Sequence, residues 1–352
     1  MNDTTPTTPT TPTIGTSGLV SAEVRLASRP LGEPTAENFQ LVRTPVPEPA
    51  EGQIVVRNTW MSVDPYMRGR MDDVPSYIPP FPLGAALEGS AVGVVVASRS
   101  EAVPVGATVS HFLGWREYAV LDAGAATAVD TDAAPPEAYL GVLGTTGLTA
   151  YAALTRTAPV REGDVVFVSA AAGAVGSVAG QLARRLGAAR VIGSAGGPRK
   201  AERLVTDFGY DAAIDYRAGS LDAQLAEAAP QGVDVYLDSV GGDHLRAAIG
   251  AMRTGGRIAL VGAISGYNAA EGAAGPGNLF QAAAREVTLR GMLVSSHFDL
   301  FPEWTGRAAG WLADGSLRTE HTVAEGIEKA PEAFLGMMRG ANTGKMLVRL
   351  GG

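Results

Sequence analysis

The sequence predicts an α/β protein of two parts: a β-rich domain of barrel-like or irregular build, and a doubly wound parallel sheet. Three observations lead there. The chain has 352 residues, which at roughly 100–200 residues per domain suits two domains. Before about Gly144, short strand-like runs are punctuated by Pro and Gly. After it, strand and helix patterns alternate as in consecutive βα units.

Residues 1–18, MNDTTPTTPTTPTIGTSG, are too rich in Thr and Pro to bury a face, and read as a disordered tail. Residues 19–143 hold strand candidates at Gln53–Asn58, Ala91–Ala97 and Arg116–Leu121. The small residues among the valines of 84–98 suit a tightly curved sheet. From Gly144, Val165–Ser169 is a buried strand. Val178, Leu182 and Leu186 repeat at fourfold spacing in a helix over Val175–Leu186. Strand Arg190–Gly193, helix Arg199–Phe208, and strands Ala212–Asp215, Val233–Leu237 and Arg257–Val261 continue the alternation. Thr319–Leu350 carries a helix over Pro331–Arg339 and a last strand, Lys345–Leu350.

Composition removes several functions. With 28 Lys plus Arg against 36 Asp plus Glu, the net charge is −8, which does not attract a phosphate backbone, so nucleic acid is not an expected partner. Zero cysteines exclude disulfides, Cys-ligated zinc, Fe–S clusters and a thiol nucleophile. The four histidines, His111, His244, His297 and His321, show no ligand-pair spacing, so no metal is expected. No apolar run approaches the roughly 18–20 residues of a membrane span, and the start lacks signal-peptide regions. The expected setting is cytoplasmic, without membrane contact.

The strongest local motif is Val165–Ser177, VVFVSAAAGAVGS: a buried strand, a turn of small residues, then a helix. Ala171, Gly173 and Gly176 form an AxGxxG variant of the dinucleotide fingerprint. Small residues let the backbone approach a pyrophosphate, and the helix start offers free N–H groups and a positive dipole end. A tight βα turn without ligand would look similar. After the second strand, Gly193–Gly197, no carboxylate stands where an NAD enzyme holds the ribose 2′-hydroxyl. Arg199 and Lys200 follow instead, at a helix start where cations oppose the macrodipole, so a 2′-phosphate, and hence NADPH, is expected there. Tyr216, after the third strand, could flank that phosphate or the adenine.

Met61–Arg70 (MSVDPYMRGR), Ala170–Ser177, Asp238–Gly242 (DSVGG), Gly262–Asn268 (GAISGYN) and Gly340–Lys345 (GANTGK) together resemble the medium-chain dehydrogenase/reductase superfamily. They are most similar to its zinc-free branch of leukotriene B4 12-hydroxydehydrogenase/prostaglandin reductase, curcumin reductase and alkenal double-bond reductase. The resemblance runs from about Val20 to the C-terminus. It implies a GroES-like β-barrel catalytic domain from residues 19–143 and 318–352, a Rossmann NADPH-binding domain from 144–317, a cleft between them, and a homodimer. It implies NADPH/NADP+ contacts at Ala174, Val175, Gly176, Ser177, Lys200, Tyr216, Ser239, Val261, Gly262, Ala263, Ile264, Ser265, Tyr267, Leu293, Val294 and Asn342. Two departures stand out: Ser239 replaces a frequent Asn, and Thr145 replaces a Met near the nicotinamide.

The implied reaction reduces the C=C bond of an α,β-unsaturated aldehyde or ketone, by hydride addition at the β-carbon and protonation at the α-carbon. An enolate forms on the way, and a hydrogen-bond donor at its oxygen lowers the barrier. A phenol, with an unperturbed pKa of about 10, carries its proton at neutral pH and can donate. Tyr267 is the first candidate for that role, and cofactor packing is its alternative. Tyr66 is the second, its alternative being a turn organised with Asp64, Arg68 and Arg70. Tyr77 and Thr145 would line the substrate pocket; His297 reads as surface or pocket wall. The position of a zinc enzyme's first ligand falls near Asp64. Quinone reduction, a dedicated natural-product ene-reductase and a non-catalytic NADPH-binding protein remain the competing readings.

Overall fold

The computed structural model describes residues 16–269 and 274–351. Most of the expected tail lies outside the described residues. Its last three members, 16–18, are not tail-like: Thr16 is buried and its carbonyl accepts the Leu19 N–H at 2.9 Å, so a turn leads into the first strand.

Six parallel strands form the second half: β1 (Val165–Val168), β2 (Arg190–Ala195), β3 (Ala212–Asp215), β4 (Val233–Asp238), β5 (Met252–Leu260) and β6 (Thr288–Gly291). Their order is β3-β2-β1-β4-β5-β6, the doubly wound arrangement the alternation predicts. The side-chain period of two explains why the sheet needs cover on both faces. Val166 and Val168 of β1 and Val235 and Leu237 of β4 share one core with Leu148, Val178, Leu182 and Trp304 from helices Thr145–Ala152, Gly176–Arg185 and Phe301–Ala313. Phe167 and Tyr236 point the other way, stacked at 4.9 Å, into a core with Leu225 and Ile249 from helices Leu221–Ala228 and Gly242–Ala251.

Strands Val20–Leu26 and Phe39–Pro45 form an antiparallel pair of their own, and the remaining strands belong to a mixed sheet. The ten-residue strand Gln53–Ser62 pairs antiparallel with Ala91–Ser98, Tyr118–Asp122 and Lys345–Arg349. His321–Glu325 lies parallel to Lys345–Arg349, so the C-terminal segment closes onto the N-terminal part. Register shifts at Val55/Val56 and Asn58/Trp60 curl Gln53–Ser62. At that curl Gly93 is required, because a Cβ there would stand 2.3 Å from the Arg57 carbonyl oxygen. The strand read as Arg116–Leu121 runs Tyr118–Asp122, since Trp115 adopts φ 59 and turns the chain just before it. The helix read as Arg199–Phe208 is Pro198–Thr206; proline suits its first turn, and Phe208 instead packs in the core beyond its end.

Candidate active site

The segments at the carboxyl ends of the parallel strands meet where the strand order reverses, between β1 and β4, which is where open α/β sheets hold ligands. After β1, Ala170 takes φ 47 and the chain turns at once, with Ala171 N–H on the Ser194 carbonyl and Gly173 N–H on the Ala170 carbonyl. Helix Gly176–Arg185 starts without a side-chain cap, and the N–H groups of Ala174 and Val175 have no acceptor among the described residues. That leaves donors and a positive helix end facing outward, the chemistry a pyrophosphate needs. Gly176 sits hard against the loop, where a Cβ would come within 2.5 Å of the Ala170 oxygen and the Ala171 Cα. The C-terminal segment lies over this loop: Gly344 N–H donates to the Ala172 carbonyl at 2.7 Å, and the Asn342 side chain donates to the Gly344 carbonyl at 2.8 Å.

A basic pocket lies at the ends of β2 and β3. The Lys200 ammonium donates to the Gly340 carbonyl at 2.8 Å. Burial, then the neighbouring Arg217 charge, lowers the Lys200 pKa. The Arg217 guanidinium has no hydrogen-bond acceptor among the described residues. Its Nε and the Tyr216 hydroxyl crowd Gly196, within 2.9 and 2.6 Å of where a Cβ would stand. The carboxylate at hand, Asp215, is taken by the backbone N–H groups of Gly197 and Arg217 at 2.8 and 3.0 Å. Two like charges with no acidic partner fit a phosphate. Tyr216 stands edge-on to His244 at 5.1 Å, forming a small aromatic wall beside them. Arg199 is exposed and contributes nothing to this cluster.

Beyond β4, the Asp238 carboxylate accepts the Tyr236 hydroxyl at 2.8 Å and the N–H groups of Val240 and Gly241 at 2.9 Å. Its carbonyl accepts Val261 N–H at 2.8 Å and Gly262 N–H at 3.1 Å, tying the turn after β4 to the segment after β5. Ser239 N–H rests on the Ser169 hydroxyl at 2.9 Å. Val261, Gly262, Ala263, Ile264 and Ser265 then lead to Tyr267, whose hydroxyl accepts the Ala263 N–H at 3.3 Å and has no acceptor for its own proton among the described residues. Leu293 and Val294 follow β6, and Thr145 opens a helix packed against the segment Val294–Leu300.

The other two candidate tyrosines come from the β domain. Tyr66 begins the short helix Met67–Arg70, and its buried hydroxyl has no partner among the described residues. Burial first, then the Asp64 carboxylate, push its pKa well above the usual phenol value. Tyr77 is 61 % exposed, as an entrance residue would be. Burial of its ring side raises its pKa, followed by its neighbours Tyr267 and Asp64. Tyr77 is therefore an electrostatic neighbour of Tyr66 and of Tyr267.

Comparison with known proteins matches two family models: the N-terminal domain of oxidoreductase over residues 22–129, and a zinc-binding dehydrogenase over 174–313. The NADPH-dependent curcumin reductase of Escherichia coli is 35% identical, over 93% of this chain and 96% of its own. The 2-alkenal reductase (NADP(+)-dependent) of Nicotiana tabacum is 36% identical, over 87% and 90%. The crystal structure of CurA in complex with NADPH from Vibrio vulnificus superposes with a TM-score of 0.90 at 37% identity, over 94% of this chain and 99% of that one. The chain belongs to the zinc-free medium-chain dehydrogenase/reductase family.

Asp64 is the position that the family resemblance sets near a zinc enzyme's first ligand. Here the Asp64 carboxylate is bound by the Lys345 ammonium at 2.6 Å and by the Ser62 hydroxyl, and Lys345 also donates to the Val63 carbonyl at 3.0 Å. Among the described residues, no group of three or more His, Cys, Asp or Glu could hold a metal, so the donor set does not fit zinc. Sequence reasoning about this family member missed Arg217 and Lys345. Arg217 was legible as the second cation flanking the same turn, one residue past Tyr216. Nothing local marked Lys345, whose partner lies 281 residues away.

Proposed function

We propose that this protein is an NADPH-dependent reductase of the C=C bond of α,β-unsaturated aldehydes and ketones. NADPH, when bound, supplies the hydride that adds at the β-carbon. The free N–H groups of Ala174 and Val175, with Gly176 and Ser177 beside them at the helix start, bind the pyrophosphate, while Lys200, Arg217 and Tyr216 hold the 2′-phosphate. Ser239, Val261–Ser265, Leu293 and Val294 line the dinucleotide toward its nicotinamide end, and Asn342 reaches it from the C-terminal segment. Tyr267 donates its free proton in a hydrogen bond to the substrate carbonyl as charge builds there. Tyr66, kept protonated by burial, is the second donor and delivers the proton to the α-carbon directly or through water. Tyr77 and Thr145 shape the entrance and wall. An enone needs only this hydrogen-bond help, whereas alcohol oxidation in zinc relatives relies on a Lewis acid.

The observation that carries the reading is a dinucleotide-type turn whose Ala174 and Val175 N–H groups have no acceptor among the described residues, together with Tyr267 on the segment after β5 and the buried, unpartnered Tyr66 hydroxyl of the β domain. The names of the relatives point the same way. The test is loss of NADPH absorbance with a panel of enals, enones and quinones, run beside NADH and without added metal. Saturated carbonyl product with NADPH preferred is the expected result. Turnover of quinones alone, or tight NADPH binding with no turnover, overturns it in favour of a quinone reductase or a binding protein.

A further inference from the structure

The Arg68 side chain is 3 % exposed, although it stands at a domain junction. Each nitrogen of its guanidinium is committed. Nη1 donates to Asp72 at 2.8 Å and Nη2 to the Gly32 carbonyl at 2.8 Å, both within the β domain. Nε donates to the Asn268 Oδ1 at 3.1 Å, across 200 residues of sequence and in the other domain. Asn268 is the residue after Tyr267. The backbones converge as well, since a Cβ on Gly32 would stand 3.5 Å from the Asn268 carbonyl oxygen.

The root of the Tyr267 loop belongs to the nucleotide domain. Ile264 N–H binds the Ser239 carbonyl at 3.2 Å, and the Ser265 hydroxyl binds the Val240 carbonyl at 2.6 Å. Its far end is held by Arg68. Arg68 shares a single turn with Tyr66, so one side chain ties the phenol of one domain to the phenol of the other. Three of its five N–H donors are committed in this way, one from each nitrogen.

We infer that Arg68, through Asn268, is a positioning residue that sets where the Tyr267 hydroxyl lies relative to Tyr66 and the substrate carbonyl. The inference rests on the proposed role of Tyr267 in enone reduction. Misplacing a reacting group by about 1 Å costs on the order of 100-fold in rate. The phosphate loop and basic pocket are built from other segments, so the grip on the cofactor's phosphates does not depend on this bond.

The test uses Asn268→Ala, Asn268→Asp and Arg68→Met in the full chain, alone and with Tyr267→Phe. The readouts are kcat and KM for a simple enone, NADPH affinity by fluorescence titration, and hydrogen exchange of amides 263–269. For Asn268→Ala, kcat should fall about tenfold or more with NADPH affinity unchanged and exchange faster. Asn268→Asp, which still accepts from Arg68, should restore kcat. In the Tyr267→Phe background the Asn268→Ala loss should shrink. An Asn268→Ala kcat equal to wild type, unchanged exchange, an equal loss in both backgrounds, or no rescue by Asn268→Asp would each overturn the inference. Asn268→Ala carries the decision if Arg68→Met fails to fold. A wild-type enzyme that reduces no enone, yet shows the exchange difference, sinks the proposed reaction and leaves the interdomain link standing.

Discussion

At Tyr267 the fold leaves a hydroxyl that accepts from its own loop and has a proton to give, the arrangement an enolate oxygen needs. Tyr267→Phe removes the donor and keeps the ring. Turnover of an enone should fall on the order of 100-fold, matching about 3 kcal/mol for one such donor, with NADPH affinity nearly unchanged in a titration. Lys200 and Arg217 make a different prediction. A charged hydrogen bond contributes roughly 1.5–3 kcal/mol, so Lys200→Ala or Arg217→Ala should raise the NADPH Michaelis constant about tenfold or more and leave that for NADH little changed. Equal changes for both cofactors would remove the 2′-phosphate from this pocket. Ser239 and Thr145 replace larger family residues, and neither side chain hydroxyl donates or accepts a hydrogen bond among the described residues.

At the scale of elements, the turn from β1 into helix Gly176–Arg185 depends on close approach. A methyl group at Gly176 would meet backbone atoms at 2.5 Å, and backbone cannot swing aside as a side chain can. Gly176→Ala should therefore cost about 1–3 kcal/mol and displace the loop, seen together as a lower Tm and weaker NADPH binding. A variant with normal affinity and a normal Tm would show that the loop relaxes freely. The strand Lys345–Arg349 carries a second such dependence. Its Lys345 ammonium is buried with the Asp64 carboxylate at 2.6 Å, and removing one partner strands the other charge in the interior. Lys345→Met should destabilise by about 3–5 kcal/mol in denaturant unfolding, and pairing it with Asp64→Leu should recover much of that.

For the whole molecule, the acid limb of stability is set by buried histidines. Burial first, then the Arg116 charge, push the His111 pKa down to about 4. Its Nδ1 accepts the Leu113 N–H at 3.1 Å and its Nε2 faces the Asn58 Oδ1 at 2.8 Å, a pairing that suits the neutral ring. A folded-state pKa below the unfolded value means the unfolded chain binds the extra proton. Stability is thus complete above about pH 6.5 and lost as pH falls toward 4, by roughly 3 kcal/mol from His111. His244 and His321, lowered mainly by burial, add in the same direction. Denaturant unfolding between pH 4 and 7 should show this slope, and His111→Gln should flatten it. A parallel curve for the variant would mean that His111 titrates alike in both states.

The sequence by itself determined what depends on neighbours along the chain. The apolar run Val165–Val168, the small residues Ala171–Gly176 and the fourfold spacing of Val178 and Leu182 are local, so the parallel sheet, its order of βα units and the tight small-residue turn into the helix were legible. So were the absence of cysteine chemistry and the cation at Lys200. Tertiary structure decided what depends on residues far apart. Strand Val20–Leu26 buries Ala22, Val24 and Leu26 while its antiparallel partner Phe39–Pro45 is largely exposed, and only packing pairs the two. The pairing of Asp64 with Lys345, the junction of Arg68 with Asn268 and the closeness of Tyr77 to Tyr66 and Tyr267 appear only when segments far apart in the chain pack together. A side chain's chemistry is written in its own residue, but its partner is chosen by packing, and packing acts between segments that the sequence keeps hundreds of residues apart.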